Sequence, residues 1–82
     1  MKYTVYAIRS AFRNYIYVGI TSDLKTRLSF HNNGYNKTTK PYRPFYLIHT
    51  EEFHSRQEAR SREKYLKSGA GKEFLKSLID LT

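Results

Sequence analysis

Cysteine and tryptophan are absent from this sequence of 82 residues, and proline and glycine are scarce, with two and four residues. Without cysteine the chain can form neither a disulfide nor a zinc ribbon, and it offers no thiol nucleophile. No hydrophobic run is long enough to cross a membrane, and the first residues are typical of a strand rather than of a secretory signal. We therefore expect a cytoplasmic protein that does not act at a membrane.

Acidic residues are also few, since seven Asp and Glu stand against fifteen Lys and Arg, for a net charge of +8. This excess favours a polyanionic partner, and nucleic acid is the first candidate because basic side chains neutralise phosphates. The eight tyrosines are compatible with base stacking, although so small a chain needs most of its aromatic side chains for a core. The length predicts one domain, residues 1–82, without a large ligand cavity.

Hydrophobic patterning predicts the element order β-β-α-β-α-α. Two segments rich in β-branched and aromatic residues, Tyr3–Arg9 and Tyr15–Ile20, flank a polar turn and are typical of a hairpin. Ser22 is a suitable N-cap for a helix that ends near Asn32, and the segment Phe45–Phe53 predicts a third strand.

Two further helices are expected after the third strand. Ser55 and Glu58 form the S-x-x-E pattern of a capping box, and the helix that they begin is expected to end at about Ser68, before Gly69. A last helix is expected after Gly71, with an apolar stripe and no catalytic group. Together the elements predict an α+β fold in which about three helices pack on a three-stranded, mostly antiparallel sheet.

The first predicted helix carries two basic side chains on the face expected to point inward. Positions i, i+3, i+4 and i+7 of this face are Leu24, Arg27, Leu28 and His31. Arg27 can extend past the helix to solvent, and His31 suits the negative end of the helix dipole. Because a buried arginine needs a partner, a polar site is the alternative.

Glu63 puts an acidic side chain on the apolar face of the second helix. Positions i, i+4, i+7 and i+11 of this face are Ala59, Glu63, Leu66 and Ala70. An inward carboxylate must be paired, hydrogen-bonded or bound to a metal. A salt bridge to Arg27 or to Lys67 is the structural alternative to a functional role. Ordinary positions, in solvent or in the capping box, are expected for Glu51, Glu52, Glu58 and Glu73.

Tyr6 and Tyr17 lie near the middles of the two hairpin strands. Strand alternation puts both on the face opposite the aliphatic residues, where cross-strand neighbours can approach each other. Packing is the ordinary role of such tyrosines, and a shared polar site is the alternative.

Taken in order, these residues resemble the GIY-YIG nuclease superfamily. The motif pieces are Thr4-Val5-Tyr6, Tyr17-Val18-Gly19, Arg27 ten residues after Tyr17, and Glu63 within the run 58–67. The sequence looks most like the short stand-alone members related to the N-terminal nuclease domain of the bacterial excision-repair C subunit, which acts in DNA repair. The resemblance covers nearly the whole chain.

The resemblance implies a metal-dependent endonuclease that hydrolyses phosphodiester bonds of nucleic acid, with DNA expected before RNA. By matching position, Glu63 would hold one divalent ion, Mg²⁺ or Mn²⁺, and Arg27 would stabilise charge on the reacting phosphate. Tyr6 and Tyr17 would orient or deprotonate the water, and the resemblance leaves open which of them is the base. His31 would assist proton transfer or bind phosphate.

Three positions depart from the family pattern. Thr4 replaces the first glycine, Ile20 stands where the excision-repair relatives have a lysine, and Leu75 stands where several relatives have an asparagine. Since one cationic contact to phosphate is thereby lost, we expect activity to be weaker or differently assisted.

Nucleic-acid contacts outside this centre are expected from two basic segments, the loop at residues 35–43 and the second helix. The candidates are Lys37, Lys40, Arg43, Arg56, Arg60, Lys64 and Lys67. A run of charge is also typical of a merely solvated face. No helix-turn-helix or zinc finger is recognisable, so target specificity is not predicted, and an unidentified targeting protein stays open as a partner.

Two other functional classes compete with the nuclease interpretation. One is a non-catalytic nucleic-acid-binding module that keeps the fold and the basic surface. The other is an interaction subunit without affinity for nucleic acid, for which the charge of +8 would be incidental.

Overall fold

The computed structural model describes residues 2–80, the side chain of Asp80 excepted, and it has the predicted order of elements. These are β1 (Tyr3–Ser10), β2 (Ile16–Thr21), α1 (Leu24–Asn32), a 3₁₀ turn (Lys40–Tyr42), β3 (Phe45–Phe53), α2 (Arg56–Lys67) and α3 (Gly69–Asp80). The α+β prediction, with a three-stranded sheet and three helices, is confirmed. No helix in the described part of the chain is long and apolar enough to cross a membrane.

The sheet is antiparallel throughout, with β1 between β2 and β3. The hairpin closes because the Ser10 hydroxyl accepts hydrogen bonds from the backbone N–H groups of Phe12 and Arg13, at 3.3 and 3.1 Å. In the β1–β2 register Tyr6 is opposite Gly19. As the central strand, β1 is buried from Val5 through Ile8.

The two faces of the sheet bury different kinds of side chain, as the alternation predicts. On one face, α2 and α3 complete an aliphatic cluster, and its buried members are Val5, Ala7, Val18, Ala59, Leu66 and Leu75. On the other face, Tyr6, Ile8 and Phe45 are buried, with Tyr17 and residues of α1 packed against them. Tyr6 and Tyr17 thus share the face on which the sequence puts them.

The N-cap of α1 is Asp23, and the prediction of Ser22 was wrong. The Asp23 carboxylate accepts hydrogen bonds from the backbone N–H of Thr26 at 3.2 Å and from its hydroxyl at 2.8 Å. These two bonds lower the pKa of Asp23. Both residue types can cap a helix, and the one whose side chain faces the free N–H groups takes the position.

The last helix starts at Gly69 rather than after Gly71, so Ala70 is an exposed residue of α3 and does not extend the apolar face of α2. The chain turns at Ser68, whose hydroxyl donates to the carbonyl of Tyr65 and accepts from the N–H of Gly71. A Cβ at Gly71 would lie 2.2 Å from that carbonyl oxygen. Glycine is therefore needed at position 71, because the first turn of α3 packs closely against the last turn of α2.

Glu51 is not a solvated residue, contrary to the sequence-based expectation. Its carboxylate accepts from Arg62 Nε at 2.9 and 3.0 Å, and His49 Nε2 lies 2.7 Å from it, so β3 is joined to α2. Burial acts to raise the pKa of Glu51, but the hydrogen bonds from His49 and Arg62 outweigh burial and hold this pKa below its ordinary value.

Candidate active site

An open pocket of about 540 Å³ lies where β1 and β2 meet the start of α1 and the first turns of α2. Its lining residues are Tyr3, Tyr6, Tyr17, Gly19, Ile20, Thr21, Ser22, Arg27, Arg56, Arg60 and Glu63. Four of the five residues predicted as catalytic share this pocket, although they come from four different elements. The fifth, His31, lies directly behind Tyr6.

Gly19 makes room for the Tyr6 side chain. Tyr6 lies opposite Gly19 on the neighbouring strand, and a Cβ at position 19 would stand 2.6 Å from Tyr6 Oη. Any larger residue would push the phenol out of place. The Tyr-Val-Gly segment therefore needs glycine at position 19, because the ring of Tyr6 passes across β2 at this point.

Tyr6, His31 and Thr39 form a buried chain of hydrogen bonds. Tyr6 Oη is 2.9 Å from His31 Nε2, and His31 Nδ1 is 2.9 Å from Thr39 Oγ1. The residues are 2%, 1% and 0% exposed. His31 is therefore part of a buried hydrogen-bonded site and not a solvated residue at the helix end, because both of its ring nitrogens are engaged. Sequence patterning missed Thr39, since a single threonine in a polar loop carries no signal of burial.

Burial sets the protonation states of Tyr6 and His31 at neutral pH. It raises the pKa of Tyr6, with Tyr17 and the carboxylate of Glu63 adding to the effect and Arg27 opposing it. Burial also lowers the pKa of His31, and the charge of Arg27 lowers it further. Tyr6 is consequently a phenol and His31 a neutral imidazole.

Tyr17 completes the aromatic wall of the pocket. Its ring centroid is 6.3 Å from that of Tyr6 and 4.9 Å from that of His31. The Tyr17 side chain is half-buried, whereas that of Tyr6 is almost fully enclosed. The two phenols therefore differ in their access to solvent.

Arg27 is exposed and lines the pocket, so it is not buried although helical spacing puts it on the inner face of α1. Its guanidinium carbon is 4.9 Å from the centroid of the Phe30 ring, and no carboxylate among the described side chains pairs with Arg27. An arginine can occupy the wall of an open pocket because it stays hydrated there. Its five donors remain available to an anion.

Glu63 is paired with Lys67, one of the two partners proposed from the sequence. Lys67 Nζ is 3.2 Å from Glu63 Oε2, and the side chain of Lys67 is 53% exposed whereas that of Glu63 is 20% exposed. Nothing in the described part of the chain brings three potential metal ligands together. One carboxylate suits a cation such as Mg²⁺, which typically keeps several waters and takes further ligands from phosphate oxygens. The donor set thus fits the divalent ion that the family resemblance implies.

The predicted basic residues divide into two groups. Arg56 and Arg60 both line the pocket, and they are one helical turn apart on α2. Outside the pocket lie Lys37, Lys40, Arg43, Lys64 and Lys67. The sequence did not mark Tyr3, Thr21 or Ser22 as lining residues, because only the packing of α2 against the strand ends makes that region concave.

The sequence pattern of the GIY-YIG catalytic domain matches residues 2–75 of this chain. A UPF0213 protein from Staphylococcus haemolyticus is 35% identical over 78 residues, which cover 94% of each chain. The UPF0213 protein YazA from Bacillus subtilis is 44% identical over 52 residues, or 62% of this chain and 52% of that protein. The solution NMR structure of a UPF0213 protein from Bacillus halodurans has a TM-score of 0.56 and 34% identity, covering 95% of this chain and 85% of that one.

Proposed function

We propose that this chain, which belongs to the GIY-YIG catalytic-domain family and so to a nuclease superfamily, is a metal-dependent endonuclease. It would hydrolyse the phosphodiester bonds of nucleic acid, with DNA as the first candidate substrate and RNA as the second. The observation that carries this proposal is the convergence of Tyr6, Tyr17, Arg27 and Glu63 on one pocket. The pocket also holds two further arginines, so it suits a ligand with several negative charges.

Glu63 is the residue to which we assign the divalent ion, Mg²⁺ or Mn²⁺. When bound, this ion would supply positive charge beside the reacting phosphate. Glu63 can release Lys67 at little cost, because a pair with so exposed a lysine contributes only about 0–1 kcal/mol.

Arg27 would hold the reacting phosphate itself. A planar guanidinium can bind two phosphate oxygens at once, and the pairing strengthens as negative charge grows on them during hydrolysis. Arg56 and Arg60, four residues apart on one face of α2, would then bind phosphates farther along the strand.

Tyr6 and Tyr17 would align the attacking water. The water oxygen forms a bond to phosphorus, the bond from phosphorus to the leaving oxygen breaks, and one water proton passes to an oxygen on the aromatic wall. The leaving oxygen takes its proton from solvent. Because burial favours the phenol form of Tyr6, its use as a proton acceptor depends on neighbours that stabilise a phenolate.

Nicking of supercoiled plasmid by the purified protein tests the proposal. We expect nicked and linear products with Mg²⁺ or Mn²⁺, and none after chelation with EDTA. Branched, flapped, single-stranded and duplex substrates of DNA and RNA then define the preferred class. Binding in a gel-shift assay without cleavage of any of these substrates would favour the non-catalytic binding module instead.

Replacing each pocket tyrosine by phenylalanine tests the role of the phenols. Tyr6→Phe and Tyr17→Phe should both fold, and at least one should lose cleavage by about 100-fold or more, the scale of general acid–base catalysis. Tyr46→Phe, at a half-exposed position of β3 outside the pocket, is the matched control and should cleave normally. Wild-type rates in both pocket variants would remove the phenols from the mechanism.

The two basic segments should contribute to binding more than to chemistry. Lys40→Ala and Arg60→Ala are each expected to weaken binding and to reduce its dependence on salt by about one unit of slope at most, as the loss of one phosphate contact would. For Lys40→Ala, the single-turnover rate at saturating protein should stay at the wild-type value. Lys76→Ala, on α3 and paired with Glu73, serves as the control. Unchanged salt slopes for Lys40→Ala and Arg60→Ala would mean that both residues are merely solvated.

A further inference from the structure

Thr39 is the one fully buried residue of the basic loop at residues 35–43. It precedes the 3₁₀ turn and is 0% exposed, whereas its neighbours Thr38 and Lys40 are exposed. Among the described residues, the hydroxyl of Thr39 has one hydrogen-bond partner, His31 Nδ1 at 2.9 Å. The loop is thereby connected to the histidine behind Tyr6.

Two neutral forms of His31 are compatible with the distances, and they differ in which hydrogen is left without an acceptor. If Nδ1 carries the proton, the ring donates to Thr39 Oγ1 and accepts from Tyr6 Oη. The hydroxyl hydrogen of Thr39 is then buried without an acceptor. If Nε2 carries the proton, Thr39 donates to Nδ1, the ring donates to Tyr6 Oη, and the hydroxyl hydrogen of Tyr6 is directed to the open pocket.

The second form is the more stable one. A buried donor without an acceptor costs about 1–3 kcal/mol, whereas a donor at an open pocket can bond to water or to substrate. Thr39 is 0% exposed and lines no part of the pocket, whereas Tyr6, although only 2% exposed, is one of the pocket-lining residues. The burial of one hydroxyl therefore decides the tautomer of the ring.

We propose that Thr39 is a positioning residue that holds His31 in its Nε2–H tautomer, so that the imidazole donates a hydrogen bond to the phenol oxygen of Tyr6. A hydrogen bond donated to that oxygen stabilises the phenolate over the phenol. It thus opposes the effect of burial on Tyr6 and prepares this residue to accept a proton, a consequence that rests on the proposed nuclease function.

The surroundings of His31 are consistent with a neutral ring. The titratable and charged groups near it are Tyr6 on β1, Tyr17 on β2 and Arg27 on α1, whereas β3 contributes the phenyl ring of Phe45. None of these groups is a carboxylate that would favour the imidazolium. Arg27 opposes a second positive charge, in the same direction as burial.

The tautomer can be measured directly in the wild-type protein, whether or not it cleaves nucleic acid. Long-range ¹H–¹⁵N correlation spectra distinguish the two ring nitrogens of the three histidines, and His31→Asn assigns the signals of His31. We expect a protonated Nε2 and an unprotonated Nδ1 at neutral pH. A proton on Nδ1 would overturn the proposal, even if the protein is an active nuclease.

Substitution of Thr39 tests the effect on Tyr6. In Thr39→Val the titration of Tyr6, followed by ¹³C NMR of its ring, should move to higher pH. Cleavage should fall by about tenfold, as expected for the loss of one hydrogen bond, and the limb of the pH–rate profile on which the rate rises with pH should move to higher pH as well. Thr39→Ser should keep the wild-type titration of Tyr6 and the wild-type cleavage rate, because serine retains the hydroxyl. Thr38→Val, at the exposed neighbour, is the matched control.

These outcomes separate the two proposals. An unchanged Tyr6 titration in a folded Thr39→Val would overturn the role of Thr39, whereas absence of cleavage by a wild-type protein with the expected tautomer would overturn only the nuclease proposal. If Thr39→Val does not fold, Thr39→Ser provides the test. A folded Thr39→Ser that loses the wild-type tautomer of His31 or the wild-type titration of Tyr6 would also overturn the role of Thr39.

Discussion

Glu63→Gln is expected to abolish metal-dependent cleavage while the variant stays folded and binds nucleic acid about as well as the wild type. The substitution keeps the size of the side chain and removes the negative charge of the carboxylate, the side-chain group through which proteins usually hold Mg²⁺. The free energy of unfolding should change by no more than about 1 kcal/mol, because the exposed Lys67 is the ion-pair partner of Glu63 and relief of a half-buried charge offsets part of the loss.

Glu73→Gln is the matched control for this experiment. Glu73 also pairs with a lysine of its own helix, Lys76, at 3.9 Å, but it lies on α3 away from the pocket. Cleavage with Mg²⁺ or Mn²⁺, thermal unfolding and gel shifts should be measured for both variants. Unfolding of Glu63→Gln without metal would show that the Glu63–Lys67 pair is structural, and full cleavage by a folded Glu63→Gln would remove the carboxylate from the reaction.

Arg27→Lys should lower the cleavage rate by roughly two to three powers of ten, with little change in binding. The substitution retains a positive charge but loses the planar fork that can bind two oxygens of one phosphate. Loss of one preorganised electrostatic contact typically has an effect of this size, and the effect falls on the rate because the contact is stronger in the transition state than in the ground state.

Arg13→Lys provides a control in which the same chemical change is made beside another aromatic ring. Arg13 lies 5.6 Å from the centroid of Tyr42, much as Arg27 lies 4.9 Å from that of Phe30, but Arg13 is outside the pocket. Single-turnover rates at saturating protein, measured beside dissociation constants, compare the two. Cleavage by Arg27→Lys at the wild-type rate would place Arg27 outside the active centre.

Several elements are predictable because their signals are local. The strand β3 has the predicted bounds, Phe45–Phe53, since a run of strand-forming residues is set off by a proline and by a helix cap. The Ser55 cap of α2 is also observed, with its hydroxyl 3.3 Å from the backbone nitrogen of Glu58. Patterns of this kind depend on neighbours a few residues away, which the sequence displays directly.

Other features depend on choices between equally suitable residues or on contacts between distant segments. Ser22 and Asp23 can both cap α1, and the geometry of the chain after β2 selects Asp23. Glu51 has the sequence context of a solvated residue, yet the packing of α2 on β3 brings Arg62 to it. Nothing near these residues in the sequence distinguishes the alternatives.

By itself, the sequence determined the order of elements, the two unlike faces of the hairpin and the residues that identify the family, because alternation, helical spacing and motif order are properties of the chain read along its length. Only the tertiary structure decided that Arg27 lines an open pocket and that Thr39 reaches His31. Such contacts require atoms of distant segments to come within about 3 Å of each other, and the packing of the elements sets which of many compatible donors and acceptors do so.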